Sequence, residues 1–219
     1  MAQLGEHGIW EKKSNFDLAV RVPLLVKVPG KPQAAGQKTA SLTDLVDVFP
    51  TLASLAGLPA PMAVDGDDVS SLFDEPTRTL KQAAYHQYPA CGMAKINQTR
   101  GGCNNTPKEK FDFMGFSVRT ASWRYTLWLP WDQQKLAAKW EAAASEVQEE
   151  LYAHDGDDST DMDRWENVNF ATSQPSVAAQ HRKLLKAFFA KKKRAGGRRP
   201  KGSGRGSALL ASGAHPRAL

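Results

Sequence analysis

The sequence predicts an α/β protein in which a small antiparallel sheet is flanked by helices. Three observations carry this. A β-branched, mostly apolar run from Val20 to Val28 stops at Pro29-Gly30 and is followed by a helical pattern. Two later apolar runs, 113–120 and 123–129, are separated only by Ala121-Ser122, which reads as a hairpin. Helical spacing returns at 132–147 and again after Pro175.

Residues 4–16 are polar and punctuated by glycine, so they read as a loop. The run 20–28 reads as a buried strand, with Pro23 at an edge position or just before its start. Ser41-Leu42-Thr43-Asp44 has the form of a capping box. Leu42, Leu45, Val46, Phe49, Leu52, Ala53 and Ala56 then keep helical spacing up to Gly57. Pro50 should divide that run and sit near the start of its second part. Residues 59–83 are loop-like, 84–88 form a short strand and 89–110 an exposed loop. Alternation places Trp123, Tyr125 and Leu127 on one strand face, which reads as core rather than as a sugar-stacking platform. Asp132 could cap a helix carrying Leu136, Trp140, Ala143 and Val147. Glu150-Leu151-Tyr152 leads into an acidic loop, and Pro175 opens a last helix with Val177, Leu184, Leu185 and Phe188 inward. One strand with its helix cannot complete a sheet, so the first part reads as the edge of a larger α/β domain. The expected division is 1–60 for the end of that domain, 61–190 for a second subdomain and 191–219 for a disordered basic tail.

The formal net charge of +6 belongs to that tail, where 191–219 hold nine Lys and Arg and no acid. The body has 20 basic against 23 acidic residues. The basic balance is therefore no argument for specific nucleic-acid binding by the folded part. No apolar run approaches the roughly 20 residues of a membrane span, and Met1 to His7 lack the features of a signal peptide. Cys91 and Cys103 are either a disulfide pair or two separate thiols. They are flanked by the sequons Asn97-Gln98-Thr99 and Asn104-Asn105-Thr106, which hint at a secretory route. Two thiols are too few for a structural zinc site.

One stretch narrows the function. Leu4-Gly5-Glu6-His7-Gly8, then Trp10, Lys12, Ser14-Asn15-Phe16 and Arg21-Val22-Pro23-Leu24 resemble the late active-site segment of sulfatases, in the alkaline phosphatase-like superfamily. Trp-x-Lys-x-Ser-Asn-Phe is similar to the branch that desulfates iduronate. Asp44 to Ala53, Gln87-Tyr88-Pro89, Met114 to Thr120, Trp123 to Thr126 and Glu150-Leu151-Tyr152 follow in the family's order, so the resemblance covers about residues 4–190.

The resemblance implies the carboxy-terminal portion of a sulfatase fold and hydrolysis of sulfate esters on a sulfated saccharide such as a glycosaminoglycan. It implies Ca²⁺ and a formylglycine made from a Cys or Ser in a Cys/Ser-x-Pro/Ala-x-Arg motif. Lys12 matches the family's sulfate-binding lysine, against the reading of a solvated loop lysine beside Lys13. His7 and His86 are further candidate substrate contacts, each with a structural histidine as the competing reading. The family's Asp-His pair would precede Leu4, where this chain has Met1-Ala2-Gln3, and neither cysteine lies in a formylglycine motif. The chain alone is therefore expected to lack nucleophile and metal ligands, and to need an amino-terminal sulfatase segment as partner. Lys13 stands where the iduronate branch has an aromatic residue. The family's compartments imply a lysosomal or secreted protein. The alternatives are a fragment of a related phosphoryl or phosphonate hydrolase, or a non-catalytic remnant whose tail binds polyanions.

Overall fold

The structure, a computed structural model, describes residues 3–59, 64–91, 103 and 106–196, the side chains of 191–196 excepted. The two sequons fall wholly or partly outside the described residues, as do 197–219 of the expected tail.

The centre is an antiparallel sheet. Strand β3 (Ala84–Ala90) pairs with β4 (Phe113–Arg119), which pairs with β5 (Trp123–Asp132) through a tight turn. The far edge of β5 is shared by the short β6 (Ala137–Ala138) and by β7 (Gln148–Ala153). Ahead of the sheet lie a small hairpin, β1 (Gln3–Leu4) with β2 (Trp10–Glu11), and one turn of helix, α1 (Asp17–Val20). Helix α2 (Val48–Leu55) follows, and α3 (Pro175–Gly196) is the last described element, running six residues into the expected tail.

Register decides which side chains make the core. Met114 faces Leu129, Phe116 faces Leu127 and Val118 faces Tyr125, so one sheet face is apolar by alternation. Leu151 of β7 joins it, and α3 lays Ala178 and Leu185 on it, with Phe189 at the margin. Pro175 occupies the first helical position as expected, where its missing N–H costs nothing. Of the expected stripe, Leu185 is buried, Val177 packs on the core and Phe188 stacks on Tyr85, while Leu184 is exposed and His181 takes an inward place with its ring nitrogens on Val177 O and Thr120 Oγ1. Cys91 and Cys103 are joined as a disulfide within this core.

The expected strand at 20–28 is not formed. Val20 ends α1, and 22–28 have no regular structure and no ladder partner among the described residues. Val22, Leu24 and Val26 are exposed, and Leu25 is 88% exposed. The apolar pattern is that of a strand between neighbours, but the open edge of the sheet at β3 is not extended by it. A related exposure marks the following helix, where Leu45, Val46, Phe49 and Leu52 face outward. Its other side is fixed by buried Asp47, which accepts from the N–H groups of Asp44 and Asp67 and from Lys81. The capping role thus falls to Asp44 and Asp47, one turn later than the expected Ser41.

The expected helix at 132–147 is also absent. Asp132 does accept from the backbone N–H of Gln134 and Lys135, but these bonds close a turn that sends the chain back as β6. Leu136 takes a left-handed φ of 51°, which ends any helical run. Trp140 packs on Phe116 and Phe189 from this loop.

Candidate functional site

The second face of the sheet is polar, and this is where the chain's amino-terminal segment lies. Alternation turns Ser117 and Arg119 of β4, and Arg124 and Thr126 of β5, away from the apolar core. Segment 3–20 covers them. Gly115 permits the close approach: a Cβ there would stand 2.3 Å from Asn15 Nδ2 and 2.7 Å from the Trp128 ring. Ile9, Phe16 and Tyr152 form a small apolar cluster at the contact, and Ser14 donates to Gln3 Oε1 at 2.7 Å.

The segment is held mainly by charge. Arg124, 3% exposed, donates from Nε to Glu166 Oε1 at 2.5 Å, from one terminal nitrogen to Asp17 Oδ1, and from the other to Ser117 Oγ at 3.1 Å. Glu166 Oε2 accepts the Asp17 backbone N–H at 2.7 Å, one of the donors that a helix start leaves unpaired. Asp157 Oδ2 accepts from Arg21 at 2.8 Å and Arg119 at 3.1 Å. His154 is buried between two carboxylates, with Nδ1 3.0 Å from Asp157 and Nε2 3.0 Å from Glu166, and its ring stacks on Trp165. Glu166 reaches in from a left-handed backbone, φ 63°, a cost of about 1 kcal/mol accepted where the surroundings fix the residue.

Burial alone would raise the carboxyl pKa of Glu166. The charge of Arg124 and the bond from His154 outweigh it and hold the group below the ordinary carboxylate range. Asp157 shows the same balance: burial raises it, while the Ser159 N–H, His154 and Arg21 bring it down overall. Both acids are therefore carboxylates at neutral pH.

Asp17, His154 and Asp157 place ligand-type atoms within 4.8 Å of one another. They do not fit the family's Ca²⁺. That ion takes six to eight oxygens, whereas here each carboxylate is already an acceptor for guanidinium groups. The disulfide leaves neither cysteine as a formylglycine precursor.

His7 and Lys12 share the covering segment. His7 sits in the turn Glu6–Gly8 with φ 54° and stacks on Phe16 at 4.0 Å, a packing role in this structure. Lys12 follows β2, next to left-handed Glu11, and is exposed with no ion pair among the described residues. Neighbouring Lys13 is tied to Glu11 at 2.6 Å, and its charge also acts on the Tyr88 hydroxyl. His86 lies apart on β3, opposite Ser117. Burial lowers its pKa, with Asp44 opposing, so the ring is neutral at neutral pH. The structure joins His7 to the Lys12 loop and carries His86 on a different element, β3. Two clefts of about 470 and 420 Å³ are lined by none of the three.

The charge cluster itself is absent from the sequence reading. The family model described as "N-sulphoglucosamine sulphohydrolase, C-terminal" matches residues 5–152. The chain belongs to that sulfatase family. Its similarity to iduronate 2-sulfatase is 34% identity over 182 residues for the Mus musculus protein, covering 62% of this chain and 32% of that one. For the Homo sapiens protein it is 32% over 179 residues with the same coverage. Arylsulfatase K of Rattus norvegicus is 28% identical over 120 residues, 55% of this chain and 19% of that one. The sulfatase chain thus spans about one third of the iduronate 2-sulfatases that it matches. A phosphonate monoester hydrolase from Silicibacter pomeroyi shares the fold, with TM-score 0.54, 22% identity, and coverage of 88% of this chain and 33% of that one. Among the described residues no helix is long and apolar enough to cross a membrane.

Proposed function

We propose that this chain is the carboxy-terminal part of a sulfatase acting on sulfate esters of sulfated sugars, with Lys12 contacting the sulfate oxygens. The carrying observation is the contrast between two adjacent lysines. Lys13 is neutralised by Glu11, while Lys12 is exposed and has no ion pair among the described residues, on a segment clamped to the sheet. An anionic transition state is stabilised by a positive charge that is already in place and pays little to reorganise. The likeness to iduronate 2-sulfatases supports a sulfated uronic acid as the sugar, and Lys13 and Tyr88 add polar groups beside the same loop.

In this reading residues 1–60 end the α/β domain and 61–190 form the carboxy-terminal subdomain. The attacking group and the Ca²⁺ carboxylates come from polypeptide outside this chain. Two exposed features support that division: the run 22–28, which has no ladder partner among the described residues, and the outward apolar side chains Leu45, Phe49 and Leu52. A sheet edge and a packed layer would cover them. The disulfide agrees with a secreted or lysosomal route, since such bonds persist in oxidising compartments. His86 is assigned to the pocket wall as a neutral hydrogen-bonding group, and His7 to holding the loop.

The test is titration of the labelled chain with a 2-sulfated uronic acid saccharide, followed by NMR. Shifts at Lys12 and its neighbours that vanish in Lys12→Ala are expected, without turnover of the saccharide or of an aryl sulfate. Turnover by the chain alone, or shifts that survive Lys12→Ala, would refute the assignment.

A further inference from the structure

We propose that His154 is a positioning residue, held as a doubly protonated imidazolium, whose proton keeps the Lys12 segment seated on the sheet. The proposal rests on the reading of Lys12 given above for its functional meaning, but not for its geometry.

The argument begins with hydrogen-bond chemistry. A neutral imidazole has one N–H and one lone pair. His154 presents both ring nitrogens, each at 3.0 Å, to carboxylate oxygens of Asp157 and Glu166. Both acids are ionised, so neither oxygen can donate, and only a ring carrying two N–H groups satisfies both sides. A neutral ring would aim a lone pair at an anionic oxygen at 3.0 Å inside a fully buried pocket, where such repulsion is poorly screened.

The surrounding charges are accounted for. Asp17 approaches Nδ1 at 3.9 Å from α1. Arg119 and Arg21 share Asp157 with the ring, and Arg124 shares Glu166 Oε1. Trp165 stacks on one ring face, with Arg164 over the indole. Three carboxylates thus meet three guanidiniums and the imidazolium, and the extra positive charge is eased by Arg21, which reaches solvent.

The coupling to Lys12 runs through Glu166. Its Oε1 takes the His154 proton, and its Oε2 takes the backbone N–H of Asp17, five residues beyond Lys12. Loss of the imidazolium proton pushes Glu166 from its place and removes the acceptor that pins Asp17. The ring therefore acts on the Lys12 segment as a two-donor strut between Asp157 and Glu166.

The experiment uses the whole chain. Nitrogen-15 histidine spectra report each ring directly, and hydrogen exchange reports the Asp17 amide. Both are measured at one neutral pH. The expected result is an imidazolium spectrum for His154, and about a tenfold or greater fall in Asp17 protection in His154→Gln, with amides of α3 unaffected. A single neutral tautomer of His154, or unchanged Asp17 protection in His154→Gln, would overturn the proposal. If that variant does not fold, the wild-type ring spectrum alone decides. Neither reading involves sulfate, so failure here leaves the Lys12 assignment standing, and failure of Lys12 to bind leaves this result intact.

Discussion

Arg124→Met offers a direct measurement of how the amino-terminal segment is held. The side chain is 4% exposed and serves two buried acids, Asp17 at 5% and Glu166 at 2% exposure. Methionine keeps much of the volume and removes the charge, so the expected cost is that of leaving carboxylates buried without a partner. Breaking a buried pair from one side costs about 3–5 kcal/mol. Each acid here keeps other donors: Asp17 retains Arg21 at 3.4 Å and Arg119 at 3.6 Å, and Glu166 retains His154 and the Asp17 N–H. The lower end applies, about 3 kcal/mol, which is roughly a 150-fold change in the folding equilibrium. Urea unfolding followed by tryptophan fluorescence measures it, and a drop in Tm of about 6–12 °C should accompany it. A change below about 1 kcal/mol would mean that the cluster is not load-sharing as described and that the segment is held by Ile9, Phe16 and Tyr152 instead.

Gly115→Ala should destabilise the chain by about 2 kcal/mol, because the new methyl must displace either Asn15 or the Trp128 ring; thermal unfolding checks this, and an unchanged Tm would show that the segment does not lie so close. Stability should also fall on acidification. Asp157 and Glu166 titrate in the folded state below their ordinary values. Their contribution is therefore fully present above the unfolded carboxylate range, about pH 4, and is lost as the pH falls through the folded values. A urea midpoint series that stays flat down to about pH 3 would contradict it.

The legible parts of the fold were those in which local pattern and burial agree. The 113–120 and 123–129 runs carried both alternation and a short link, and they form β4 and β5 with the core side that alternation indicates. Pro175 marked the start of α3. The run 20–28 misled because its composition reports the burial it is suited to, while the described residues give it no neighbouring strand. The stretch 132–147 misled because an aspartate bonding two successive N–H groups opens a helix and a turn alike. Lys12 was singled out by its surrounding motif, and the structure places it exposed on the covering segment. The charge cluster was not readable: Asp17, Arg119, Arg124, His154, Asp157 and Glu166 are scattered over 150 positions, and each looks like a surface residue. Strand parity does put Arg119 and Arg124 on the polar face, but nothing local says that another segment covers that face.

The bare run from Val22 to Val28 has a consequence for the life of the chain in a cell. An exposed, β-branched segment that has no ladder partner among the described residues is a template for self-association, and Pro23 and Lys27 are the gatekeepers within it. Covering that run should therefore raise the amount of chain that survives in a cell, because exposed sticky segments are what chaperones and proteases act on.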